Sequence, residues 1–288
     1  MSAERKDAVA VARRRELGAF LRARRERTGP AEVGLPGSAR RRTPGLRREE
    51  LAVLAGVSTT WYAYLEQGRD VRPSDQVLAA IADTLRLTGE ERAHLRTLAD
   101  GAAGQRYAVT REGPLPSAVE TVAPEVAAVP ALVAPAPAYV TGATTDVLVW
   151  NEPAAELFPG LIHRPDTDRP NLARWVFLDP EARQVLVDWE TVAQSVLARL
   201  RTNAGRHPGD ERFTRLAAEL RAGSAAADAW WPRYDIATHR TGSKRVRHPS
   251  RGELILGHAA FTVAGAPEQV LVVYSLHGDV PAPGPELL

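Results

Sequence analysis

The stretch from Leu46 to Gly68, LRREELAVLAGVSTTWYAYLEQG, restricts the fold more than any other part of the chain. Leu51 and Leu54 set a helical spacing that stops at Gly56. A second helical run begins at once with Ser58 and passes Tyr62 and Leu65 before Gly68, where a glycine after the last periodic residue marks a helix end. Two helices joined by so short a turn pack near a right angle. They need a small residue where they approach and a tight turn between them. Ala52 supplies the first and Gly56 the second. Val57, Tyr62 and Leu65 then point back at the first helix, while Thr59, Thr60, Ala63 and Tyr64 face outward. In this helix-turn-helix geometry the second helix lies in a DNA major groove, with its N-terminal residues at the base edges.

The neighbouring residues build a domain around that pair. Leu17, Phe20 and Leu21 form an i, i+3, i+4 stripe, with Arg22, Arg24 and Arg25 turned outward. Thr28 to Gly45 is rich in glycine and proline and reads as a loop carrying Arg40, Arg41 and Arg42. Ser74 caps a helix whose face is Val77, Leu78, Ile81 and Leu85. Thr88 and Glu91 form a capping box for a fifth helix with Leu95 and Leu98. The expectation is an all-α five-helix domain over residues 1–103. Its charge agrees: residues 1–72 hold 16 Lys+Arg against 9 Asp+Glu, whereas residues 73–288 hold 21 against 26. A basic head on an acidic body is the pattern of a nucleic-acid reader joined to something else. Arginine supplies every cation except Lys6 and Lys244. A GC-rich genome explains that bias as well as phosphate recognition does.

A length of 288 residues fits about two domains of roughly 150 residues each. Residues 104–117 read as a linker, 118–280 as the second domain and 281–288 as a flexible tail. The second domain opens with a proline-interrupted apolar segment, Val119 to Pro137. A strand from Asp146 to Trp150 and a short helix from Asn151 to Phe158 follow. Helical patterns cover Asp188–Ala204, Asp210–Ala222 and Ala225–Tyr234. Strand patterns close the chain at Lys244–His248, Glu253–Val263 and Gln269–Leu276. Between Leu254 and Val263 both alternating faces are largely apolar, which predicts a strand covered on two sides. The expected class is α+β.

Several functions are excluded by what is missing. Cysteine is absent, so there is no disulfide, thiolate zinc site or cysteine nucleophile. Met1 to Glu16 lacks the apolar core of a secretory signal. The apolar run Val126–Val140 is too short to span a bilayer and holds Pro130, Pro135 and Pro137. These features predict a cytoplasmic, nucleoid-associated protein without a membrane partner. There is no nucleophile elbow, phosphate loop or dinucleotide fingerprint. The seven histidines show no i, i+3 or i+4 ligand spacing. No catalytic residue, cofactor or metal site is expected, and the chain does not read as an enzyme.

The five-helix unit over about residues 10–100 resembles the Xre family of helix-turn-helix proteins. By position, the resemblance places Thr59, Thr60 and Tyr64 on base-reading positions and Arg48 and Arg69 on phosphate contacts. Ser58 joins them at the start of the helix. Arg41 and Arg42 lie in a loop longer than the phage repressors carry, within reach of phosphates or a minor groove. Trp61 has two roles open to it, beside the DNA backbone or packed against that loop. Arg47 stands where a Ser or Thr cap is commoner.

The TPGLRREE start at Thr43, WYAYLEQGR at Trp61, DVLVWNEPAAELF at Asp146, NLARWVFLDP at Asn171 and GSKRVRHPSRGEL at Gly242 together resemble the MmyB-like regulators of actinobacteria. The resemblance implies a PAS-like C-terminal domain that senses a fatty-acyl-like or other small apolar ligand. The sequence departs from the pattern at Gly257-His258, where an acidic-aromatic pair is usual. Candidate pocket residues are Trp150, Phe158, Arg174, Trp175, Trp189, Trp230, His248 and His258. In an α+β domain such aromatics are more often core than pocket. Arg174, His248 and His258 are the groups that would meet a carboxylate, and Asp179 is an alternative partner for Arg174. The expected protein is a one-component transcriptional regulator, a homodimer on double-stranded operator DNA. The alternative keeps the DNA reader and gives the C-terminal domain a protein partner instead of a small molecule.

Overall fold

A computed structural model describes residues 3–36, 45–100, 120–162, 169–237 and 241–276. The linker, the tail, Arg41 and Arg42 lie outside the described residues. The chain divides into two compact units. The first comprises residues 1–113 with 201–214 and 229–238; the second comprises 114–200 with 215–228 and 239–288.

The first unit is helical: α1 (Ala3–Arg27), a 3₁₀ turn (Pro30–Val33), α2 (Arg48–Leu54), α3 (Thr59–Glu66), α4 (Asp75–Thr84) and α5 (Gly89–Asp100). Leu17, Phe20, Leu21, Leu51, Tyr62, Leu65, Leu78, Ile81, Leu95 and Leu98 meet in one core. The starts of the helices follow from side-chain chemistry. Ser58 accepts from the Trp61 N–H and Ser74 from the Val77 N–H, at 3.1 and 3.3 Å. At α5 the Thr88 N–H donates to Glu91 and the Glu91 N–H to Thr88, a reciprocal box. Only Arg22 of the arginines expected outside α1 is exposed. Arg24 is half-buried against Glu91 at 2.7 Å and Arg25 is buried against Glu66, so an acid paired in the core overrides the outward expectation. Residues 201–214 and 229–237 of this unit add polar staples to α1. The Arg201 guanidinium donates to Glu16 at 3.0 Å and sits 3.8 Å from the centroids of both the Trp231 and Tyr234 rings.

The second unit is α+β. Its elements begin with α6 (Pro124–Leu132), β1 (Ala138–Thr141), β2 (Val147–Trp150) and α7 (Glu152–Leu157). Then come α8 (Pro159–Ile162), α9 (Leu172–Leu178), α10 (Pro180–Val185), α11 (Trp189–Arg206), α12 (Glu211–Gly223) and α13 (Ala225–Trp230), of which residues 201–206, 211–214 and 229–230 are counted with the first unit. The chain ends its described part with β3 (Gly242–His248), β4 (Gly252–Val263) and β5 (Ala266–Leu276). The sheet order is β2-β1-β5-β4-β3, every pair antiparallel. β1 escapes a reading by pattern because Pro135 and Pro137 precede it and it is only four residues long. The expectation that β4 is covered on both faces is corrected. Ile255 and Phe261 are 48% and 55% exposed, because they share the open face, while Leu256 on the opposite face is buried.

Asn151 shows how a short polar side chain sets this topology. Its Oδ1 accepts from the Ala138 and Ala154 N–H groups, and its Nδ2 donates to the Pro130 and Ala136 carbonyls. One buried amide thus ties α6, β1 and α7 together. Each buried polar group left unsatisfied costs about 1–3 kcal/mol. Asn151→Ala is therefore expected to lower stability by about 2–4 kcal/mol in urea denaturation; a loss inside the error of the extrapolation would contradict this role.

Candidate nucleic-acid interface and interior site

The turn before α3 is built as the spacing requires. Gly56 has φ +67°, a left-handed backbone open to glycine, and the Val57 N–H returns to the Ala52 carbonyl at 2.9 Å. Ser58 and Thr60 are exposed, and Thr59 and Tyr64 are half-buried. Past the end of the helix Arg69 is exposed, and its guanidinium lies 4.4 Å from the Tyr64 ring centroid. The outward side of α3 therefore offers hydroxyls, a phenol and a cation. Trp61 packs against the helical core.

Arg48 has a partner that sequence reasoning missed. Its Nε donates to Glu66 at 2.7 Å, leaving its side chain partly exposed. Glu66 closes α3, its side chain is 1% exposed, and it also takes the Arg25 Nε at 2.5 Å. Arg25 in turn donates to the Leu46 carbonyl at 2.7 Å, reaching the segment that enters α2. The two guanidiniums outweigh burial and hold the Glu66 carboxyl below its ordinary range. A carboxylate at a helix C-terminus opposes the helix dipole, so its presence there was a readable sign of a cationic partner. α1 meets the same corner of α3 through Gly18, where a Cβ would stand 2.3 Å from the Glu66 carbonyl oxygen. Removing one partner of a buried pair typically costs about 3–5 kcal/mol. Glu66→Ala should lose about that much in chemical denaturation; a loss no larger than that of an exposed ion pair would refute it.

The second unit gathers a different set. Cross-strand register puts Lys244 opposite Leu256, His258 opposite Tyr274 and Tyr139 opposite Val272, all on one face of the sheet. Phe158 and Trp175, the latter 1% exposed, pack edge-on at 5.7 Å, and Phe158 meets Tyr274 at 5.4 Å. His258 lies 6.0 Å from the Tyr274 ring. The Tyr139 and Tyr274 hydroxyls are 3.1 Å apart, and the Lys244 ammonium donates to the Tyr274 oxygen at 3.1 Å.

Of the pocket residues chosen from sequence, the structure brings together Phe158, Trp175 and His258. The others go elsewhere. Arg174 forks onto Glu219 at 2.8 and 2.9 Å, so its acid is not Asp179. His248 accepts from the Ser250 N–H at 3.2 Å in an exposed turn. Trp189 donates to the Val176 carbonyl under the Arg183 guanidinium, Trp150 is exposed at the end of β2, and Trp230 belongs to the first unit. Tyr139, Tyr274, Lys244 and Arg199 were missed. Burial, and then the Arg199 charge, lower the Lys244 pKa to about 7. Burial raises both tyrosines. Among the described residues, no helix is long and apolar enough to cross a membrane and no cluster of three His, Asp or Glu could hold a metal ion.

Family models match two segments of the chain. Residues 16–95 match a helix-turn-helix domain, and residues 122–282, more than half the chain, match the MmyB-like transcription regulator ligand binding domain. No curated protein matches the chain.

Proposed function

The chain belongs to the MmyB-like transcription regulators, and from that premise we propose that it reads a two-fold operator through α3 and senses a small apolar ligand in its second unit. The observation that carries the DNA reading is the outward side of α3, where Ser58 and Thr60 stand exposed on a capped helix with Arg69 beside Tyr64. A threonine hydroxyl donates to or accepts from a base edge, and its methyl meets a thymine methyl. Tyr64 packs on a sugar or base edge. Arg48, Arg69, Arg41 and Arg42 supply phosphate contacts, which position the protein without reading sequence. Such a protein works as a homodimer in the cytoplasm, on the nucleoid, with half-sites about 34 Å apart. Ligand acts on transcription only through a difference in affinity between two arrangements of the dimer.

An anisotropy titration on footprinted operator tests the readout. Thr59→Ala/Thr60→Ala should lose roughly tenfold or more of the preference for operator over scrambled duplex, since a good base contact is worth about 1–3 kcal/mol. Unchanged discrimination rejects these roles. The second reading, a protein partner on the second unit, is favoured by the exposed Ile255 and Phe261. Native mass spectrometry separates the two. A stoichiometric co-purifying small molecule supports sensing, and its absence together with a bound protein supports the partner.

A further inference from the structure

Within the first unit, α1 carries two sets of contacts on roughly opposite sides. Gly18 and Arg25 meet the end of α3, Arg25 at the Glu66 carboxylate and Gly18 against the Glu66 carbonyl. Glu16, Phe20, Arg24 and Arg27, spaced i, i+4, i+8 and i+11, line the other side and meet residues 231–235 of the same unit. Tyr234 is the centre of this second set. Its hydroxyl donates to Glu16 at 3.4 Å, its ring centroid lies 6.5 Å from that of Phe20, and its carbonyl accepts from Arg24 at 2.8 Å. Arg27 donates to the Arg233 carbonyl at 3.0 Å and pairs with Asp235.

The segment is held as a strap. Tyr234 has φ +55°, a left-handed backbone that a bulky residue keeps only where its surroundings impose it. Tyr234 and Ile236 pack against the helical core, yet no residue from 231 to 237 is fully buried, so the strap depends on its polar contacts. Arg201 supplies the firmest of them. It is 3% exposed, bonds Glu16 at 3.0 Å and the Trp231 carbonyl at 2.8 Å, and stacks between the Trp231 and Tyr234 rings.

We propose that Arg201 and Tyr234 are positioning residues for DNA reading: they and the strap fix α1, and α1 fixes the end of α3 through Arg25 and Gly18. This rests on the reading of α3 as the helix that meets the bases and adds what sets its position. The residues responsible lie far from the helix-turn-helix in the chain, Glu16 reaching Arg201 and Tyr234 across 185 and 218 residues. Arg201 is buried and paired, so its charge is not one that binds phosphates. Loosening the strap therefore falls on base readout, which needs α3 accurately placed, and spares the phosphate contacts that carry no sequence information.

The test measures the full-length protein by anisotropy on the footprinted operator and on a scrambled duplex. Arg201→Met should lower operator affinity by roughly five- to tenfold and hold scrambled-duplex affinity within about threefold. A variant that had merely lost folded protein would weaken both alike. Arg201→Lys keeps a cation beside Glu16 and the two rings and should recover part of the preference. In Arg201→Met, amide exchange in α3 should quicken while that in α4 keeps its rate. Asp235→Ala, at an exposed pair on the strap, carries the test if Arg201→Met does not fold; its operator preference should fall by about two- to threefold. An unchanged ratio of operator to scrambled affinity, or exchange that quickens equally in α3 and α4, overturns the positioning role and leaves the reading of α3 intact. Arg201→Lys behaving as Arg201→Met overturns the part given to the Arg201 charge. A wild-type protein with no preference for operator overturns both readings.

Discussion

The second helix of the helix-turn-helix, α3, is held in place by a buried charge. Glu66 closes α3 in the core of the first unit and is gripped by Arg25 from α1 and Arg48 from the start of α2. Three helices thus share one carboxylate. Such a cluster is a poor source of net stability, because desolvation offsets much of the attraction. Its consequence is geometric. The Arg25 fork fixes how far α3 extends from α1, and Gly18 lets their backbones touch where any side chain would collide with the Glu66 carbonyl. The placement of Thr59, Thr60 and Tyr64 on one outward side depends on that corner.

The second unit assigns polar side chains two different jobs. Asn151 and Asn171 satisfy backbone groups that strands and short helices leave open. Asn171 donates to the Thr144 carbonyl and to Asp146, and accepts from the Arg174 N–H. These amides are saturated within the fold. The Trp175 indole N–H differs, being buried without an acceptor.

Local chemistry made the first unit legible. Ser58, Ser74 and the Thr88–Glu91 box act within three residues, so the starts of α3, α4 and α5 follow from the chain itself. The buried sides of Arg24 and Arg25 were hidden because their partners, Glu91 and Glu66, lie 67 and 41 residues away. In the second unit the strands β3 to β5 were readable from alternation. Their register was not, and it is register that carries Lys244 to Tyr274, 30 residues distant, and leaves Ile255 and Phe261 on an open face. Aromatic residues announced a core but not which of them would share it. Phe158 and Trp175 meet Tyr274, whereas Trp189 is spoken for by the Val176 carbonyl.

The absence of cysteine gives the most direct test of where α3 goes. A single Thr60→Cys carries one iron chelate, and hydroxyl radicals from it cut DNA only near that residue. On the footprinted operator, cleavage should fall on the base pairs facing one major groove, in two clusters about one helical turn apart. Cleavage that is weak and spread along the duplex, no different from that of Ser74→Cys on α4, would contradict insertion of α3.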